Sequence, residues 1–434
     1  MGDEDYFGAF QQAFLVGWAP VAIFIMATAG FGFLYAGMVR KKNVTHTIIM
    51  INVGWTLAFF IYFLIGYPLA YYSDHPILGL PQWIPTISNP LPPILSDGAY
   101  GIDGSPSGLG DMALWFKMSM FMITCLAIVP GGTAERDKLL GWVIAAAVIA
   151  AFIYPLIEHW VWGGGWLSTL GYIDYAGSSV VHLTGGMLGL MASYVIGPRI
   201  GKFVGSDKSP RTFFGHSIPW SVLGAWLLVF GWFGFNIGSS TAADPETINI
   251  ELAWVSITTA MCMAGGLFGA ALTSRGHVLT SMMGLLSGAV AICSGAHIVH
   301  PIWAFIIGIV AGIITTFAYG FLEHVLKVDD ALAVFPVHGA CGVWGVIATG
   351  IFGPKVLFAH PIYGFELSEW GSIFLIQLIG VGTILATVAG LGFVLFFLLN
   401  KANLMRVSKD QELFGLDISV HKTYAYPEDM MDKD

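Results

Sequence analysis

Two histidines and an aspartate pose the chemical question in this sequence. Asp174 and His182 stand eight residues apart at the start of a strongly apolar run, Asp-Tyr-Ala-Gly-Ser-Ser-Val-Val-His-Leu-Thr-Gly-Gly-Met-Leu-Gly. On a helix that spacing is a little over two turns, so both groups lie on roughly one face, about 12 Å apart along the axis. An acid and an imidazole are expensive inside hydrocarbon unless something uses them. The acid suits an anchor for a cation near a membrane surface, and the imidazole suits proton handling deeper in. A second imidazole repeats the pattern. His182 and His338 are each preceded by Val and followed by Gly at +4 and +7, namely Gly186 and Gly189, and Gly342 and Gly345. An imidazole both donates and accepts a hydrogen bond and titrates near physiological pH, so a touching pair would pass a proton or line a path for a small polar solute. Asp174 also reads as a helix N-cap, and capping is compatible with favouring a cation nearby.

Aromatic residues supply the third element: Phe121, Trp162 in Trp-Gly-Gly-Gly, and Phe235 in Gly-Trp-Phe-Gly-Phe-Asn-Ile-Gly-Ser. A cation on a ring face gains about 0.5–2 kcal/mol. A compact cation that donates hydrogen bonds also wants an oxygen, which Ser239 can offer. Most of the other aromatics, in a chain that is 14% Phe, Trp and Tyr, serve packing or an interfacial belt. His297 and His300 are read as loop or interface residues rather than metal ligands. The four cysteines, Cys125, Cys262, Cys293 and Cys341, are scattered singly and show no disulfide or zinc spacing. With no nucleophile–base pair, metal cluster or cofactor loop in the sequence, an enzyme is not expected, and neither a cofactor nor a nucleic-acid partner is implied. The paired Asn-Pro-Ala motifs of water and glycerol channels are absent from it too.

The elements that must carry these residues follow from composition. Of 434 residues 56% are apolar and only 10% charged, with a mean hydropathy of +0.75. That is too much apolar surface for a water-soluble globule, so the reading is an all-α polytopic membrane protein. Runs long enough for the bilayer core fall at about 12–39, 46–70, 112–133, 139–162, 177–198, 219–240, 251–274, 276–295, 300–321, 333–353 and 370–400. Eleven transmembrane helices are therefore expected. Basic residues cluster after the odd-numbered runs: Arg40, Lys41 and Lys42; Arg136 and Lys138; Arg199, Lys202, Lys208 and Arg211; Arg275; Lys327; Lys401, Arg406 and Lys409. The positive-inside rule then places the N-terminus outside and the C-terminus in the cytoplasm. The acidic opening Met-Gly-Asp-Glu-Asp does not read as a signal peptide. The two histidines fall in the fifth and tenth runs, and an offset of five spans makes the halves opposite in orientation, a 5+5 inverted repeat plus one helix with the substrate path where the halves meet. Small residues such as Gly185-Gly186, Gly265-Gly266 and Gly284 with Gly288 predict close helix contacts. Residues 1–400 form the membrane domain in this reading, and 401–434 a cytoplasmic tail with an acidic end.

Taken together, the Asp174–His182 stretch, Phe230-Gly-Trp-Phe-Gly-Phe-Asn-Ile-Gly-Ser239, Gly131-Gly-Thr-Ala-Glu-Arg136, the Val337-His338-Gly339 region and Gly415-Leu-Asp-Ile-Ser419 resemble the ammonium transporter family, Amt/Mep/Rh. The resemblance covers essentially the whole chain. It implies a homotrimer in the cell membrane with a separate pore in each subunit. It further implies an outer ammonium site lined by Phe121, Trp162 and Ser239, with Asp174 holding its geometry. Phe121 and Phe235 would stack as a gate beneath that site, and His182 and His338 would form a twin-histidine pair in the channel. Trp162 points to the Amt/Mep side of the family. Met118 replaces a glutamine that many bacterial members carry, and Ala333 an aspartate that some carry. The implied activity is capture of ammonium, removal of its proton and passage of ammonia into the cytoplasm, with or without the proton. The alternative is an ammonium sensor of the same fold with little conduction, signalling through its tail or through a PII-type nitrogen-signalling protein on the cytoplasmic face.

Overall fold

Few charges and long apolar runs leave the backbone no solvent partner in a membrane, and helices satisfy it internally. The computed structural model describes residues 13–72, 75–77, 106–240, 245–355, 360, 364–426 and 428. Among them, ten helices are long and apolar enough to cross a membrane: α1 (Ala19–Met38), α2 (Lys41–Tyr71), α3 (Met112–Thr133), α4 (Leu139–Leu170), α5 (Ser178–Ile196), α6 (Ile218–Ile237), α7 (Thr247–Thr273), α9 (Pro301–Leu326), α10 (Phe335–Phe352) and α11 (Leu367–Lys401). The eighth run forms a shorter apolar helix, α8 (Val278–Ile292), and turns take over from Cys293. The departures from helix among these residues are small: a two-residue ladder pairs Phe203–Val204 with Ser209–Pro210, and single bridges join Asp137 to Arg406 and Pro354 to Phe365. The acidic end of the tail, from Asp429 on, lies outside the described residues.

Helix association in lipid rests on close packing rather than on hydrophobic force, so small residues mark the contacts. A side chain on Gly266 would lie 2.1 Å from the Gly284 carbonyl oxygen, and one on Gly308 2.0 Å from that of Cys262. Helices α7, α8 and α9 therefore touch backbone to backbone.

The two halves meet in the same way around the histidines. Each histidine sits in a six-residue π-helical turn that opens its span, Ser178–Leu183 in α5 and Phe335–Ala340 in α10. The glycine four residues beyond each histidine faces the other half: a Cβ on Gly186 would stand 2.3 Å from Gly339 N, and one on Gly342 2.5 Å from Ser178 O. The repeated His–Gly spacing is thus a crossing point that only hydrogen fits. It also extends further upstream. Asp174 caps the first turn through the backbone N–H groups of Ser179 and Val180, at 2.8 and 3.0 Å. Asp330, eight residues before His338 just as Asp174 precedes His182, caps the second through Val334 and Phe335, at 3.0 and 2.8 Å.

The described tail is not a loose appendage. Two short helices, α12 (Lys409–Phe414) and α13 (Leu416–His421), follow α11. Asp417 accepts from the backbone N–H of Thr45 and His46 at the start of α2. Glu412 pairs with Arg406 at 2.8 Å and accepts from Ile200 N at 2.7 Å.

Candidate functional site

The residues singled out by type and spacing form one continuous column through the bundle. Phe121, on α3, and Phe235, one turn from the end of α6, are both buried, with ring centroids 4.3 Å apart. Trp162, at the break in α4 that follows Val161, meets Phe121 edge-on at 5.5 Å, and its indole N–H donates to the Asp174 carbonyl oxygen at 2.7 Å. Next along the column comes His182, 5.3 Å from the Phe235 ring. His182 and His338 then lie nearly parallel with centroids 5.3 Å apart and Nδ1 atoms 3.3 Å apart. One of these two nitrogens must donate and the other accept, so the pair shares a single proton between facing Nδ1 atoms. The Nε2 of His182 is buried with no hydrogen-bond partner among the described residues. A buried polar atom left unpaired is costly, and it marks where a small donor or acceptor would be welcomed.

Asp174 is buried, and its Oδ2 accepts from Ser179 Oγ at 2.6 Å as well as from the two backbone groups of the cap. Burial pushes its carboxyl above the ordinary range, against the pull of the Ser179 and Val180 hydrogen bonds. Its Oδ1 has no partner among the described residues. The cap reading is therefore right for one oxygen, and a second oxygen is left over. Ser239 is buried too, and its hydroxyl donates to Phe235 O at 3.0 Å, leaving the oxygen lone pairs as acceptors beside the paired rings.

Sequence reasoning missed three residues that build or support this column. Trp232 stacks on His182 at 5.1 Å and lies parallel to His338 at 6.4 Å. Phe31 closes the far side of His338 at 5.8 Å. Both were hidden among many aromatics, though Trp232 lies inside the quoted Phe230–Ser239 motif. Asp330 was missed as well, although its eight-residue spacing to His338 was on the page. Beyond the histidines, towards the tail, a cavity of about 300 Å³ opens among Met38, Phe213, Met283, Thr315, Leu332 and Ala333.

Other groups read from the sequence do not join the column. His300 caps α9 through Ile302 N, and His297 stacks on Tyr175 at 4.3 Å. No group of three or more metal-ligating side chains stands together among the described residues. Glu158, which the sequence reading passed over, is fully buried and accepts from Tyr62 and Tyr71, at 2.8 and 3.1 Å.

Comparison with known proteins identifies the family of the chain. The sequence profile described as the Ammonium Transporter Family matches residues 13–426. Ammonium transporter Amt1 of Methanocaldococcus jannaschii is 39% identical over 421 residues, covering 96% of this chain and 97% of that protein. An ammonium transporter of Bacillus subtilis is 30% identical over 93% of the chain and 96% of its own length. Among solved structures, one titled a sensor Amt protein superposes with a TM-score of 0.83 at 28% identity over 94% of this chain and 98% of that one. Mep2 of Saccharomyces cerevisiae gives 0.76 at 26% identity over 91% and 87%. A profile that spans nearly every residue and a relative matched almost end to end settle the kinship: the chain belongs to the ammonium transporter family, as a multi-pass protein of the cell membrane.

Proposed function

We propose that this protein takes up ammonium through the column that runs from Trp162 to His338. The cation is held at the Asp174 end by the faces of Phe121 and Trp162 and by the Ser239 oxygen, with Asp174 fixing the site through its cap and its indole contact. The pair Phe121 and Phe235 forms the gate, and ammonia, without its proton, passes the two histidines. The Asp174 end faces outward and the tail lies in the cytoplasm, as the basic loops suggest. A trimer with one pore per subunit and a PII-type partner on the tail face belong to the same reading, as does the division into a membrane domain, 1–400, and a tail, 401–434.

One observation carries this best: among the described residues, the path from the Phe121–Phe235 pair to His338 is a run of ring contacts with no ion pair in it, while the His182 Nε2 is left unpaired. Moving a full charge through such a path costs at least about 3 kcal/mol and more by some accounts. A cation that can shed a proton avoids that cost. Potassium, of similar size, cannot.

The sensor alternative is favoured by a single finding, the likeness to a structure titled a sensor Amt protein. Liposomes containing the purified protein separate the two. Entry of isotopically labelled ammonium, faster than in protein-free liposomes, is expected of the transporter. Ammonium binding in titration calorimetry without such entry would replace transport by sensing.

A further inference from the structure

A lysine stands beside the proposed cation site, and no step of the proposed uptake uses it. Lys117 lies four residues before Phe121 on one uninterrupted helix, Pro106–Thr133. Side chains at that spacing share a face, one above the other, and helical side chains lean toward the N-terminus. Lys117 therefore projects from Phe121 away from the histidines, toward the open end of the column. Its Nζ donates to the carbonyl oxygen of Gly238 at 3.4 Å. Gly238 ends the helix that carries Phe235 and directly precedes Ser239. One lysine thus reaches from the helix of one gate ring to the end of the helix of the other.

The chemistry of that group is notable for what it copies. A lysine head is a primary ammonium with three N–H donors and no acceptor, the donor type that the aromatic faces and the Ser239 oxygen suit. One long bond to a carbonyl leaves two of its donors available. No carboxylate pairs with it among the described residues, since the ion pairs found there involve other cations. The acid of the site, Asp174, has its Oδ2 committed to Ser179 and Val180. The lysine is half-buried, so its charge is only partly screened.

We propose that Lys117 is a resident cation of the aromatic site, which competes with incoming ammonium and sets a weaker affinity than Phe121, Trp162 and Ser239 would give by themselves. The proposal rests on the functional reading above. Two unit charges in one partly buried site repel enough to weaken binding by about tenfold or more. The ordinary alternative is a lysine that snorkels to the membrane surface along apolar neighbours. That role predicts no change in ammonium affinity when the charge is removed and the stem is kept.

The test compares wild type with Lys117→Met, Lys117→Gln and Lys117→Arg, all good helix formers, after gel filtration has shown equal assembly. The readouts are the half-saturating concentration for labelled ammonium entry into liposomes and, in parallel, the equilibrium binding of ammonium chloride by calorimetry. Removing the charge in the Met and Gln variants is expected to tighten both by about tenfold or more, while the Arg variant stays within about twofold of wild type. Unchanged affinity in the Met and Gln variants overturns the proposal. So does loss of both entry and binding in those variants, which would make the lysine a requirement and not a competitor. If none of the four proteins conducts but binding follows the expected order, Lys117 keeps its role and transport is what fails.

Discussion

The column and the tail-side face of this molecule treat polar groups in opposite ways. Around His182 and His338 the structure places imidazoles and rings, with no salt bridge, and leaves Nε2 unpaired. On the tail side, several charges are buried and paired with opposite ones. Arg199 lies 2.9 Å from Glu135 and 2.8 Å from Asp329, and Arg40 reaches Glu135 at 2.9 Å. Arg136 donates to the Asp329 backbone oxygen at 2.7 Å. Burial alone would raise Glu135, but the Arg199 and Arg40 guanidiniums hold it at about 2, and Arg136 and Arg199 keep Asp329 well below the carboxylate range. Asp330, one residue along, has no such partner, and burial pushes it up to about 6 against the pull of its backbone cap. The difference teaches a division of labour. Matched buried charge fixes several loops and the tail in one arrangement, whereas unmatched neutral polarity offers itself to a solute that passes.

Breaking the matched side should therefore cost folding, and breaking the unmatched side should cost function. The largest effect is expected for Arg199→Met, which takes from Asp329 its nearest cation and from Glu135 one of its two. Removing one partner of a buried pair costs about 3–5 kcal/mol, so thermal unfolding in detergent should fall steeply or assembled protein fail to accumulate. Wild-type unfolding in this variant would dissolve the contrast.

Asp174→Ala comes next, because it belongs to both worlds. It removes the acceptor for three hydrogen bonds at the head of α5, at about 1–3 kcal/mol for the buried donors left behind, and it should also stop ammonium entry. Asp174→Asn keeps an oxygen for the cap and should unfold closer to wild type. Full transport by the alanine variant would reduce Asp174 to a cap.

The smallest effect is a pH response of the tail. His46 Nδ1 and His421 Nε2 are 2.9 Å apart, while His46 Nε2 faces Asp137 O at 3.1 Å and Asp137 Oδ1 at 3.5 Å. His46 therefore carries its proton on Nε2 and accepts at Nδ1 when both rings are neutral. One added proton can be shared, but two set N–H against N–H. Burial and the His46 ring lower the pKa of His421 from its ordinary value, with Asp417 acting the other way. A lowered imidazole pKa contributes stability above the unfolded value of about 6.5 that is lost as pH falls below it. Glu135, depressed to about 2, contributes stability above the ordinary carboxylate range that is lost only as pH falls through that value. Hydrogen-exchange protection at residues 415–421, measured relative to the intrinsic exchange rate at each pH, should consequently fall between about pH 7 and about pH 5 while the Arg199 region stays protected. His421→Gln should flatten that response, and an unchanged response would remove the histidine pair from tail docking.

How much of this could be read beforehand depends on how unusual each residue is in its run. Asp174, His182 and His338 stood out because hydrocarbon makes them costly, and the His–Gly spacing correctly marked a crossing of two similar segments. Trp232 and Phe31 did not, since an aromatic in an apolar run looks like packing whatever it touches. Arg40, Arg136 and Arg199 were read as loop charges that orient the chain. Loop composition cannot reveal that they fold inward onto Glu135 and Asp329, because those partners are distant in sequence. Lys117 was visible as a lone cation in the third run, but its meaning depends on Gly238 and Ser239, which only the fold brings beside it.

The central claim is that an uncharged column selects a cation able to give up its proton. The most direct test measures entry of labelled ammonium and of labelled rubidium, standing in for potassium, into the same liposomes, with wild type and the His182→Ala/His338→Ala double variant. The account predicts protein-dependent ammonium entry, no protein-dependent rubidium entry in wild type, and loss of this selective ammonium entry in the double variant. Rubidium passing wild type at a rate comparable to ammonium would contradict it.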